Sequence, residues 1–428
     1  MQEYIEKRDR AKELLEKEKY EEALPLYENI YAPDCDKWIA WEYARLLKQL
    51  LRLDDSIGIS KSLYQREKTF TYNNNLLSWL LYEKYFKEKK SEYTVNEISK
   101  LYNIAIYVAT FTKQEKTSAY EKIIIQMLKI LKLSNNIPYT KVLSLLERLD
   151  VTLLSAEAGK YEKDGRTKEY QSPKEMYYSL KTKALIETEE FELCIECCNK
   201  ALEDIGVFHH DNNTWILSRK ALSYAGLADF ECAIKLQKEV LLKKPHWSLL
   251  GEFAEMHLKL GDSKTALLYY CRAALTNDPP KMKVGLYIDI AKVLQETGDT
   301  KGALHHLLFS RQVREQESWS VPFAISNAIN ELSSQEKVIE IKLHDLKLFW
   351  QKVIYDGMGL QHGNISRLNA GGKTGFIQSG NHSYFFKSSS FIGKPLFKVG
   401  TNVVFVLIDS FDIKKNQPSC ECGYIKID

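Results

Sequence analysis

The sequence predicts an α+β multidomain chain, with an all-α helical-repeat solenoid followed by a small antiparallel β-barrel. Three observations predict it. A helix-length pattern of large and small apolar residues returns at nearly the same interval between residues 190 and 310. Beyond Gly359 the apolar period changes from that of a helix to that of a strand. And 428 residues exceed what one hydrophobic core usually serves, unless the chain is an array in which each unit contacts only its neighbours.

The repeat is plainest where Ala233 with Val240, Ala266 with Ala273 and Ala303 with Ser310 occupy equivalent places. Each Ala follows a turn, namely Ala228-Asp229-Phe230, Gly261-Asp262-Ser263 and Gly298-Asp299-Thr300. Glu190-Phe191 with Cys194, Cys198 and Ala201 forms an earlier unit, and the steps from Cys194 through Ala233 and Ala266 to Ala303 are 39, 33 and 37 residues. At the N-terminus Ala11, Leu14 and Leu15 precede a Glu18-Lys19-Tyr20 turn, with Ala23, Leu26, Tyr27 and Ile30 after it. These fall at i, i+3, i+4 and i+7, the stripe of a half-buried helix. The arrangement resembles the tetratricopeptide repeat, in which a small residue at the crossing and an aromatic at the turn let two antiparallel helices pack. A shift of 33 residues carries Ala11 to Ala44 and Ala23 to Ser56, which places a second unit at 37–68.

Residues 69–170 are helical in composition but lack that register. Segments 76–88, 96–111, 116–133 and 138–156 carry apolar stripes, and the polar stretch from Gly159 to Pro173 reads as a loop. The expected organisation is divergent helical repeats over 1–170, regular repeats over 171–332, an amphipathic helix over 333–358 and a barrel over 361–428. In the third segment Ile339, Leu343, Leu346, Trp350 and Val353 form one stripe. Such a helix most simply closes the apolar end of the array. The change of period between Gly357 and Gly363 predicts a separable junction.

In the barrel segment Gly363-Asn364-Ile365-Ser366-Arg367-Leu368-Asn369, Lys373-Thr374-Gly375-Phe376-Ile377, Tyr384-Phe385-Phe386-Lys387 and Val399-Gly400-Thr401-Asn402-Val403-Val404-Phe405 follow one another. In this order they resemble the first strand, two ribonucleoprotein motifs and fourth strand of the cold-shock domain, a five-stranded barrel of the OB type. The resemblance implies binding of single-stranded RNA or DNA, through Arg367, Lys373, Phe376, Phe385 and Lys387. Strand alternation agrees with it: Tyr384 and Phe386 face inward while Phe385 and Lys387 look outward beside Phe376. Outward aromatics beside cations suit stacking on unpaired bases. The sequence departs from the family where Arg367 stands for a first-strand Trp, Thr374 for a motif Phe and Ser388 for a following aromatic. A barrel kept only as a docking module remains open beside the nucleic-acid reading.

Charge adds little globally, since 60 basic against 57 acidic side chains leave +3. Residues 361–428 hold eight Lys or Arg and four Asp or Glu, a net of +4, so a polyanion preference is expected there. Without a leader-like N-terminus or an apolar run long enough for a membrane span, the expected location is cytoplasmic with no membrane partner. Eight irregularly spaced Cys read as reduced thiols. Cys194, Cys197 and Cys198 read as helix packing, and Cys420 and Cys422 lack further ligands, so no metal and no other cofactor is expected. Gly371-Gly372-Lys373-Thr374 resembles the end of a phosphate loop, but Arg367 stands where that motif needs Gly, and a strand follows. The His209-His210 and His305-His306 pairs are adjacent, so their side chains diverge around a helix. No catalytic motif occurs, and a non-enzymatic protein is expected.

In tetratricopeptide repeats the first helix of each pair lines the concave groove, which implies Trp215, Glu255, Lys259 and Lys292 as residues for a protein partner. The bland alternative is a helix-packing Trp and a solvated charged face. The function expected is an adaptor that holds a protein in the solenoid and a single strand on the barrel. The alternative is a pure protein-interaction scaffold or a regulatory subunit of a separately encoded enzyme.

Overall fold

A computed structural model describes residues 2–134, 136–163, 165–333, 340–393, 395–412 and 417–428. It divides into two compact units, Met1–Asn212 and Asn213–Asp428. The first unit holds α1 (Gln2–Glu16), α2 (Tyr20–Ile30), α3 (Lys37–Gln49), α4 (Leu53–Arg66), α5 (Thr71–Tyr85), α6 (Val95–Phe111), α7 (Ala119–Leu131) and α8 (Tyr139–Leu146). Strands β1 (Gly159–Lys163) and β2 (Arg166–Tyr170) and helices α9 (Pro173–Glu187) and α10 (Phe191–Asp204) complete it. The second unit holds α11 (Asn212–Gly226), whose first residue falls on the boundary, then α12 (Phe230–Lys243), α13 (Trp247–Lys259), α14 (Ser263–Ala274), α15 (Val284–Glu296) and α16 (Thr300–Gln316). Helices α17 (Phe323–Ser333) and α18 (Leu343–Met358) follow. The barrel strands are β3 (Gln361–Leu368), β4 (Thr374–Ser379), β5 (His382–Lys387), β6 (Asn402–Asp412) and β7 (Gln417–Ile427).

The repeat rests on one turn used again and again. At Glu18, Leu51 and Glu189 in the first unit, and at Ala228, Gly261 and Gly298 in the second, the backbone enters the left-handed region. The next N–H then bonds back across the helix end, as in Lys19 N to Leu14 O, Arg52 N to Leu47 O, Asp262 N to His257 O and Asp299 N to Leu294 O. This is the geometry that ends a helix and reverses the chain in one step. Asp229, Asp262 and Asp299 immediately cap the second helix by accepting from Cys232, Thr265 and Gly302 N–H. Past the turn the small residues meet the facing helix, and Ala11, Ala23, Ala44, Ala233, Ala266 and Ala303 have no exposed surface. Ser56 takes the small position of the second repeat and donates to Ala44 O at 2.7 Å. Its turn lacks Gly, so Leu51 carries the positive φ.

Two stretches differ from the sequence reading. Gly159 to Tyr170, expected to be a loop, forms an antiparallel hairpin in which Tyr161 and Tyr170 stack at 4.2 Å. The signal for it is Gly165, with φ +68° at the turn, between two segments that each carry a Tyr. The amphipathic segment begins as α18 at Leu343, and Ile339 lies outside the described residues. In the array α17 packs on α16, while α18, expected as a cap, lies against α14 and α16. Its stripe of Leu346, Trp350 and Ile354 is buried there, and a Cβ at Gly357 would stand 3.1 Å from Leu268.

The five strands close in the order β3-β4-β5-β7-β6. Four junctions are antiparallel and β5 runs parallel to β7, pairing Phe385 with Glu421 and Phe386 with Cys422. The barrel is therefore mixed, where the sequence reading expected it to be antiparallel. A ring with an odd number of strands cannot alternate direction all the way round. Ile365, Ile377, Phe386, Val403, Phe405, Cys422 and Ile425 fill it. Gly375 is required on the wall, because a Cβ there would meet the Phe386 ring at 2.7 Å.

The outer side of β6 and β7 is covered within the same unit. Val406 joins the core that holds Ile290, Trp350 and Ile354, with Ile408 and Tyr424 packed against it. Tyr355 donates its hydroxyl to Tyr424 O at 2.9 Å. Helices and barrel are thus packed together on either side of the expected junction, while residues 359–362 themselves are exposed.

Candidate nucleic-acid interface and repeat groove

With β6 and β7 turned toward the helices, β3, β4 and β5 present their outer side to solvent. A bulge decides what that side carries. Ile365 pairs with Ile377 inside the barrel, but the register shifts at Ser366, so Arg367 pairs with Phe376 and both point outward. Phe376 in turn pairs with Phe385 across β4 and β5. The result is a continuous row over three strands. The Arg367 guanidinium lies 4.5 Å from the Phe376 ring centre, and that ring meets Phe385 edge-on at 5.8 Å. Both rings are half-buried and Arg367 is exposed. Arg367 thus lays a cation on the face of the first ring of the row.

The two lysines differ. Lys373 is exposed in the turn between β3 and β4, where Gly371 and Gly372 adopt positive φ. Its carbonyl accepts from Ser388 N at 2.8 Å, which holds the turn to the end of β5 without engaging the ammonium group. Lys387, expected to be an open phosphate contact, instead pairs with Glu421 of β7 at 2.9 Å. Glu421 is cross-strand neighbour to Phe385, so the parallel β5–β7 pairing brings a carboxylate to the edge of the aromatic row. Consecutive residues do not reveal that, because the whole of β6 lies between the two strands in the chain. Among the expected inward residues Phe386 is fully buried and Tyr384 partly so.

The remaining motifs take structural roles. Cys194 and Cys198 lie buried on α10 with sulfurs 4.0 Å apart, and burial pushes the Cys197 thiol up to about 12. Cys422 points into the barrel, also pushed up to about 12 by burial, while Cys420 is exposed. Lys373-Thr374 leads into β4, and Thr374 holds Asn369 through its hydroxyl at 2.8 Å. His209 bonds the buried Glu175 carboxylate at 2.8 Å, and this bond raises its pKa.

On the repeats, Trp215 lies at the start of α11, edge-on to His246 at 5.5 Å and with Lys244 Nζ 5.4 Å from its ring centre. Glu255 and Lys259 lie exposed toward the end of α13, paired at 3.3 Å, and Lys292 of α15 pairs with Asp289 at 3.4 Å. Burial raises the Asp289 pKa, and Lys292 opposes it. Trp215 packs where α13 begins, so roughly two helical turns separate it from the charged residues. The four therefore form two patches, one aromatic and one of paired charges.

The fold defines a tetratricopeptide-like repeat protein that carries a closed five-stranded barrel at its C-terminal end. Residues 214–346 match a family model described as "Domain of unknown function (DUF7017)". No curated protein matches the chain. Among solved structures, it is similar to a tetratricopeptide repeat protein from Parabacteroides merdae, with 10% identity and a TM-score of 0.32, over 78% of this chain and all of the other. It is also similar to BtubC from P. vanneervenii, with 12% identity and a TM-score of 0.31, over 69% of this chain and 97% of the other. A further similarity is to the TPR2AB domain of yeast Sti1 in complex with pHSP90, with 13% identity and a TM-score of 0.26, over 78% and 99% of the two chains. Among the described residues no helix is long and apolar enough to cross a membrane.

Proposed function

We propose that this protein is a non-enzymatic adaptor that binds single-stranded RNA or DNA on the outer side of β4 and β5 and a protein partner on its repeats. The observation that carries the proposal is the Arg367–Phe376–Phe385 row, open to solvent on a barrel whose opposite side is packed. The strand order first-second-third-fifth-fourth, with third and fifth parallel, supports the OB-type reading, a barrel class that binds oligonucleotides on its second and third strands. Phe385 and the planar Arg367–Phe376 stack offer surfaces to two bases, and Lys373 reaches a phosphate. Stacking of this kind contributes about 1–3 kcal/mol per base.

The test is anisotropy titration of labelled single-stranded RNA, single-stranded DNA and duplex with the full chain and its F376A/F385A variant, with circular dichroism confirming the fold. Tighter binding of single strands than duplex, weakened at least about tenfold by the double substitution, supports the proposal. No binding at low salt, or binding that the substitutions leave intact, favours the scaffold reading. One observation already leans toward that second reading: Glu421 neutralises Lys387 beside the aromatic row.

A further inference from the structure

We propose a second polyanion site, independent of the barrel, in a groove on the first unit between α4, α5 and α6, whose ligand is the phosphodiester backbone of a single strand. Its signal is a charge bias that the repeat pattern conceals. Residues 61–141 contain 14 Lys or Arg, only one of them Arg, and seven Glu without any Asp, a net of +7. The rest of the chain is therefore net −4. Within this stretch the structure places a shallow cavity of about 440 Å³, with Lys61, Lys100 and Asn103 among its lining residues and Leu81, Tyr85 and Tyr107 beneath them.

The two lysines are exposed, and among the described residues neither makes an ion pair. Their neighbours differ: Lys84 pairs with Asp54, Lys48 with Glu83 and Lys90 with Glu97. Lys100 is held instead by a ring, its ammonium 5.1 Å from the centre of Tyr85. Tyr64, Tyr107 and Phe111 pack together behind it at 5.0–6.3 Å, a rigid aromatic bed that costs no ordering when a ligand arrives. Cations left without carboxylates, beside tyrosines and an amide, suit a chain of evenly spaced diester charges with sugars and bases between them. Tyr85, Tyr107 and Asn103 beside the lysines offer faces and an amide to bases and sugars, groups that an acidic peptide lacks, so a single strand is the better-suited occupant. The ligand class is the one proposed for the barrel, but the residues are not.

The test uses the full chain, a labelled oligo(dT) and salt titration by anisotropy, comparing wild type, K61E/K100E, F376A/F385A and the combination. The expected result is that K61E/K100E weakens binding about tenfold and reduces the slope of log affinity against log salt by about 1.4, two contacts at roughly 0.7 each. The loss should persist in the F376A/F385A background. If K61E/K100E alters the circular dichroism spectrum, K61Q/K100Q replaces it, with the same direction and a smaller loss expected. Unchanged affinity and slope in a folded groove variant overturn the inference, whatever the barrel variant does. Poly-glutamate displacing the oligonucleotide at equal charge concentration also overturns it, in favour of an acidic polypeptide. Loss in the groove variant with an unaffected barrel variant removes the barrel reading and leaves this site standing.

Discussion

The indole N–H of Trp350 donates to Nε2 of His306 at 2.8 Å, while Nδ1 of the same ring lies 2.7 Å from Gly302 O. Both side chains are fully buried, Trp350 stacked on Tyr287, so α18 is fastened to the array through a neutral imidazole. Nε2 accepts only if it carries no proton, which assigns the proton to Nδ1. Burial accordingly holds the His306 pKa down to about 4.

That depression makes the fastening sensitive to acid. The unfolded chain takes up the proton near pH 6.5 but the folded chain only near 4, so stability is lost as pH falls through this window. The slope is at most about 1.4 kcal/mol per pH unit for one proton. His306→Gln can keep an acceptor for Trp350 and cannot titrate. Urea midpoints at pH 7 and pH 5 should fall further in wild type than in the variant. His209 acts in the opposite sense, its pKa raised by Glu175, and is common to both proteins.

Arg272 of α14 lies 4.7 Å from the Tyr269 ring centre and reaches the Tyr424 hydroxyl at 3.4 Å, bracing the barrel against the repeats. Arg272→Ala together with Tyr424→Ala should loosen that face without emptying either core. Residues 359–362 are exposed, so limited proteolysis should cut there in both proteins, with the two fragments staying associated on gel filtration in wild type and separating in the double variant. Fragments that separate in the wild type would show that the packing does not hold them together.

Ala266 sits fully buried where α13 and α14 cross. Ala266→Leu adds three carbons to a closed contact, and overpacking of this kind costs about 1–3 kcal/mol. Chemical denaturation should show a lower midpoint with an unchanged slope.

What could be read in the sequence was what repeats locally. Gly261-Asp262 and Gly298-Asp299 state their turn outright, because Gly takes positive φ and Asp caps the next helix. Glu18 and Leu51 make the same turn without Gly, so it is legible there only through the flanking Ala11 and Ala44. Phe376 and Phe385 were legible as outward neighbours through strand alternation. The Arg367 bulge, the Lys387–Glu421 pair and the Tyr424 contact depend on register and on residues far apart in the chain, which periodicity does not encode. The basic stretch at 61–141 was hidden because a global balance of +3 averages it against acidic repeats.

Glu421→Gln isolates the role of the carboxylate on the aromatic face. Removing its charge releases Lys387 and lifts a repulsion from any phosphate near Phe385. Single-strand affinity should rise, and the salt slope should steepen by about 0.7 for one added contact. An affinity that falls or stays constant would mean that Lys387 does not face the ligand.

The central claim, that single strands lie on β4 and β5, is tested most directly by ultraviolet cross-linking of the full chain to a photoreactive single strand. Peptide mass spectrometry then locates the adducts. The account predicts adducts on the peptides that carry Phe376 and Phe385, lost in F376A/F385A, whether or not others appear at Tyr85 or Tyr107. Cross-linking that is absent from residues 374–387, in a chain that binds the strand, would contradict it.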